Sequence, residues 1–92
     1  MASEVFVVEL SDSTARVTPP AWLLRNLGLV LLEARPGTLT LMNNGAMADP
    51  HWALRTRELV RRMRLNTSEV RFETGRERRQ RQARREYTVG AR

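Results

Sequence analysis

The chain of 92 residues has no cysteine, and all sixteen of its lysine-plus-arginine positions are arginine. Histidine occurs once, at His51, and aromatic residues make up 5%. Without cysteine there is no disulfide framework, zinc ribbon, iron–sulfur site or thiol nucleophile. A single histidine with no cysteine partners argues against a transition-metal site and against a Ser-His-Asp triad. Long apolar runs are missing too. The most hydrophobic segment, residues 21–34, is interrupted by Arg25, Asn26, Gly28 and Glu33. It falls short of the roughly 20 apolar residues that a membrane-spanning helix needs. Met1-Ala2-Ser3-Glu4 is acidic where a secretory signal would be basic. These absences speak against an enzyme, a metal or cofactor protein and a membrane protein. They favour a cytoplasmic binding module, nucleoid-associated if it binds DNA.

What is present is charge, unevenly divided. The formal net charge is +6. Residues 1–50 hold Arg16, Arg25 and Arg35 against Glu4, Glu9, Asp12, Glu33 and Asp49, a net −2. Residues 51–92 hold thirteen arginines against five glutamates, a net +8. A mildly acidic apolar half followed by a strongly basic one suggests a folding unit joined to a polyanion-seeking extension. Turn-forming residues at Asn43-Asn44-Gly45 mark the boundary. The expected organisation is a core and dimerisation unit over 1–45, an amphipathic basic helix over 46–66, and an Arg-rich extension over 67–92.

Local patterns fill in this outline. Residues 4–10 (EVFVVEL) are β-branched and long enough for a strand, and residues 11–14 (SDST) carry turn chemistry. Residues 15–18 resume an extended run up to Pro19-Pro20. Thr18 can serve as the N-cap of a short helix over 21–27 that Gly28 closes. A hairpin over 29–42 with a turn at Arg35-Pro36-Gly37 is favoured over a single helix running through Gly28, because Thr38-Leu39-Thr40-Leu41 alternates with period two. Asp49-Pro50 starts a second helix over 51–65. Trp52, Thr56, Leu59, Val60 and Met63 form its apolar stripe, with Arg55, Arg57, Arg61, Arg62 and Arg64 outside it. Residues 69–73 alternate like a short strand. Residues 76–85 hold six arginines and one glutamate. With no apolar stripe to hold it, this segment is expected to fray when free and to be helical when bound.

At residues 12–29 the chain reads D-S-T-A-R-V-T-P-P-A-W-L-L-R-N-L-G-L. This resembles the signature of the AbrB-type swapped-hairpin family, the transition-state regulators and MazE-like antitoxins. Asp12, Arg16, Val17, Pro20, Leu23, Arg25, Leu27, Gly28 and Leu29 match. Ala15 stands where that family has glycine, Pro19 where it has isoleucine, and Leu29 runs into the next strand without the usual spacer. The resemblance implies an α+β fold: a small swapped-hairpin, β-barrel-like homodimer core with a short helix. Here an amphipathic helix and an Arg-rich tail would follow it. It also implies DNA contacts from Arg16 and Arg25.

The candidate nucleic-acid-binding residues are therefore Arg16, Arg25, Arg55, Arg61, Arg62, Arg76, Arg78, Arg79, Arg81, Arg84 and Arg85. Arginine suits the task because its planar fork grips phosphate, or the O6/N7 edge of guanine, with two hydrogen bonds. No catalytic or metal-ligating set is nominated, and no cofactor. DNA is favoured over RNA as partner. The alternatives are an Arg-rich RNA-binding protein, or an interaction adaptor or antitoxin that engages an acidic protein through Trp52, Leu54, Leu65 and the tail. Trp22 and Trp52 are expected in the core or at the dimer contact.

Overall fold

The structure is a computed structural model that describes residues 5–43 and 52–90, with side chains over 5–43 and 54–85. The Asn44-Gly45 turn, the Asp49-Pro50 helix start and His51 lie outside the described residues, as do the side chains of Trp52 and Tyr87. The elements follow as β1 (Val5–Leu10), α1 (Ala21–Leu27), β2 (Leu29–Arg35), β3 (Thr38–Asn43), α2 (Trp52–Met63), β4 (Thr67–Phe72) and α3 (Gly75–Gly90). The strands form one antiparallel sheet in the order β2-β3-β1-β4. Over the described residues the domain is α+β, with an open sheet and three helices.

Strand alternation sorts the residues onto two faces. Phe6 pairs with Leu41 and Val8 with Leu39, and all four are fully buried. Leu10, Leu29, Leu23 and Leu24 of α1 and Leu59 of α2 complete this core. Odd-numbered positions of β1 face the other way, with Val7 opposite Thr40 on one side and Arg71 on the other. Helices α1 and α2 cover the first face, and α3 lies over the second. Residues 67–72, expected as the start of the extension, are thus a strand of the sheet, hydrogen-bonded along β1.

Two glycines hold the connections. Gly28 closes α1 in the left-handed conformation at φ 68°, its N–H donating to the carbonyls of Leu24 and Arg25. A Cβ there would lie 2.7 Å from a guanidinium nitrogen of Arg55, whose side chain reaches from α2 to the end of α1. Gly37, at φ 82°, ends the β2–β3 turn where a Cβ would meet the Ser13 carbonyl oxygen at 2.7 Å. Its carbonyl accepts from Leu10 and its N–H donates to Ala15, both at 2.9 Å, which staples the 11–15 loop to the hairpin.

Some expectations shift by local chemistry. Pro20, not Thr18, occupies the cap position of α1, and its carbonyl receives the Leu23 and Leu24 amides at 3.1 Å. Residues 15–18 form no strand, although Ala15 and Val17 pack against the core. Trp22 is 60% exposed and so lies outside the core, one of the two places expected for it. The adjacent Leu23 and Leu24 take the inward positions and turn it out. Asn43 sits on the core face opposite Leu29. Its buried amide has no hydrogen-bond partner among the described residues, a local cost of about 1–3 kcal/mol.

Candidate nucleic-acid interface

On the α1/α2 face, the helical period sets out the arginines. Thr56 and Leu59 point into the protein, which leaves Arg55, Arg57, Arg61, Arg62 and Arg64 exposed. Arg55 reaches Gly28 at the end of α1, and Arg62 turns back along its own helix to Glu58. Arg25 and Asn26 lie in the last turn of α1 and Trp22 in its first, all exposed. Arg16 projects between Ala15 and Val17, which rest on the core. Asp12 serves its own loop: Thr14 donates to it from its hydroxyl at 2.7 Å and its amide at 2.9 Å, which lowers the Asp12 pKa.

Glu58 is the acid on α2, and two arginines hold it. Arg61 donates from Nε and Nη2, and Arg62 donates from Nε at 2.8 Å. The Arg61 hydrogen bonds, then those of Arg62, bring the Glu58 pKa down to about 2. These i,i+3 and i,i+4 pairs support the helix, yet two cations share one anion.

The opposite face is built differently. A capping box starts α3: the Glu77 amide donates to the Thr74 hydroxyl at 3.1 Å, and the Thr74 amide donates to the Glu77 carboxylate at 3.0 Å. Arg71 of β4 bridges that carboxylate to Glu9 of β1, donating to Glu9 at 2.7 and 3.0 Å. The Arg71 hydrogen bonds outweigh burial and hold the Glu77 pKa down at about 2. Arg81 donates twice to Glu73, at 2.8 and 3.0 Å, with side-chain exposures of 12% and 4%. Arg84 donates twice to Glu33 of β2, at 3.0 and 2.7 Å. Glu33 is available to it because of a register shift between Leu31 and Glu33. The extra residue resets the alternation, so Ala34 packs on the core and Glu33 faces α3.

The nominated arginines thus separate into three sets. Arg16, Arg25, Arg55, Arg61 and Arg62 lie on the α1/α2 face. Arg76, Arg78, Arg79 and Arg85 are exposed on α3 and form no ion pair among the described residues. Arg81 and Arg84 turn inward, because the sheet supplies each with a carboxylate at bidentate geometry. Between α3 and the edge strand β2 runs a cleft of about 560 Å³ lined by Val30–Glu33, Arg81, Arg84 and Arg85. Arg57, Arg64 and Arg71 also bear on these surfaces although they are not among the eleven candidates. Arg57 and Arg64 were readable as members of the outward group on α2. The bridging role of Arg71 depends on Glu9, 62 residues away, and has no local signal.

Every glutamate whose side chain is described (Glu9, Glu33, Glu58, Glu69, Glu73 and Glu77) is paired with an arginine. The charge left over is positive. Among the described residues no group of three His, Cys, Asp or Glu is placed to hold a metal ion, and no helix is long and apolar enough to cross a membrane. No protein-family model, curated protein or solved structure matches the chain.

Proposed function

We propose that the chain is a small nucleic-acid-binding protein, a DNA-binding regulator that grips phosphates with arginines on α2 and α3. One observation supports this reading above the others. The described glutamates are held in internal ion pairs, while Arg25, Arg57, Arg64, Arg76, Arg78, Arg79 and Arg85 stay exposed with no acid partner among the described residues. A solubilising surface ordinarily mixes both signs. A surface whose surplus is wholly arginine matches a polyanion, with phosphate contacts giving affinity and a few side chains giving any base readout. In the form the sequence resemblance suggests, two copies interleave their β2–β3 hairpins, and the paired surfaces read two half-sites. Sedimentation velocity at micromolar concentration distinguishes that dimer from a monomer.

The test is binding to duplex DNA and to a structured RNA across a salt series. If six arginines each neutralise one phosphate on duplex DNA, log K falls against log salt with slope about −5. Replacing Arg76, Arg78 and Arg79 together with glutamine flattens that slope by about 2.7. Affinity indifferent to salt, or no binding to either nucleic acid, overturns the proposal and turns attention to an acidic protein partner. Tighter binding to the RNA moves the target from DNA to RNA.

A further inference from the structure

We propose that the outer face of α1 is a stacking site for an unpaired nucleobase, so that the protein holds single-stranded nucleic acid there. This rests on the nucleic-acid reading above and names a ligand class within it. Trp22 is 60% exposed, although tryptophan offers the largest apolar surface of any side chain. Its direction is fixed. The helix has seven residues, and burial of Leu23 and Leu24 sets its rotation, leaving Trp22, Arg25 and Asn26 on the outer face. The start of α1 is firm as well, because Pro19 is buried and Pro20 caps the helix with its carbonyl.

The surroundings suit a nucleotide. Arg25 and Asn26 follow Trp22 by three and four residues, one helical turn, and so stand beside the indole. The Arg55 guanidinium lies at Gly28, at the far end of the same helix. The acid of α2, Glu58, is already held by Arg61 and Arg62. An indole face with guanidiniums along its helix takes any unpaired base on its π-surface and the adjoining phosphates on the cations. A base inside a duplex is covered on both faces by its neighbours and cannot stack this way. Single-stranded DNA and RNA present the same chemistry, and asparagine can donate and accept at a base edge of either.

The experiment uses the full chain with three fluorescein-labelled probes: twelve-nucleotide oligothymidylate, twelve-nucleotide oligouridylate, and a duplex of twelve base pairs. Trp22→Ala is expected to lower single-strand affinity roughly tenfold, about the value of one base–aromatic stack, and to leave duplex affinity unchanged. Trp22→Phe keeps most of the single-strand affinity. The more tightly held of the two single strands identifies the source. Single-strand affinity unchanged in Trp22→Ala, with an unaltered circular dichroism spectrum, overturns the stacking site while salt-dependent duplex binding leaves the nucleic-acid reading standing. Equal losses on all three probes, with a change in sedimentation, overturn it as well, because Trp22 is then an assembly contact. Failure of the unsubstituted protein to bind any probe overturns both readings.

Discussion

The two faces of the sheet are held by different physics. Under α1 and α2, Phe6, Val8, Leu39, Leu41 and Leu59 are fully buried in a continuous apolar core. Under α3 the contacts are carboxylate–guanidinium pairs: Glu73 with Arg81, Glu33 with Arg84, and Glu77 with Arg71. Apolar burial is not directional and is barely affected by salt. Ion pairs near a surface are directional, are weakened by salt, and compete with any other anion. The first face therefore fixes the fold. The second fastens an arginine helix with bonds of the same kind that phosphate would offer it.

Substitution on each face should separate these two roles. Leu59→Ala empties part of the core and is expected to cost about 2–5 kcal/mol in urea unfolding, with little dependence on salt. Glu73→Gln leaves the Arg81 guanidinium facing a neutral amide in a largely buried position. It is expected to cost about 1–3 kcal/mol, confined to α3 and shrinking as salt is added. Hydrogen exchange reads both variants residue by residue. Leu59→Ala should raise exchange throughout the sheet, and Glu73→Gln only over residues 75–90. Uniform loss of protection in Glu73→Gln would merge the two faces into one cooperative unit.

That division also governs how much the sequence discloses. The hairpin over β2 and β3, helix α1 and its closure at Gly28 are written locally, in alternation, in Leu23-Leu24 and in a residue free to take positive φ. The amphipathic stripe of α2 is equally direct, with Thr56 and Leu59 buried where the period places them. The anchoring of α3 is not written locally. Its partners lie far off, Arg84 finding Glu33 across 51 positions, and it depends on a bulge that turns Glu33 outward. A segment with no apolar stripe reads as unanchored, because the usual reading looks for burial and α3 is held by pairing. One signal was nevertheless available. Thr74-Gly75-Arg76-Glu77 is a capping-box pattern, and it marks where α3 begins. Among the candidate residues, position along the chain indicated which arginines sit on helices. It could not separate Arg81 and Arg84, which face inward, from Arg78 and Arg85, which face out.

Acid tests the second face selectively. The Glu77 pKa lies at about 2 in the folded protein, against an ordinary value of 4.5. A carboxylate with a depressed folded-state pKa contributes stability that is complete above its unfolded value and disappears as pH falls through its folded one. The α3 cap should therefore loosen between about pH 4.5 and pH 2, with helix content falling before the core opens. Glu58 has a similar value on α2, so the assignment needs a variant. Glu77→Gln should remove this step from the circular dichroism titration and weaken the start of α3 at neutral pH.

The smallest expected effect sets stability against charge at one residue. Arg64 follows the last turn of α2 at φ 54°, where the Leu65 amide closes the helix on the Val60 carbonyl at 3.0 Å. Glycine is the usual occupant of this left-handed position, and an L-residue there costs roughly 1–2 kcal/mol. A cation near a helix C-terminus returns about 0.3–1 kcal/mol through the helix dipole. Arg64→Gly should then stabilise the protein by roughly 0.5–1 kcal/mol, raising the urea midpoint. If Arg64 also contacts phosphate, the same change flattens the salt slope of duplex binding by about 0.9. A more stable protein with weaker, less salt-dependent binding means the chain keeps a strained residue for its charge. A more stable protein with unchanged binding removes the C-terminal end of α2 from the interface and leaves that role to Arg55, Arg62 and the arginines of α3.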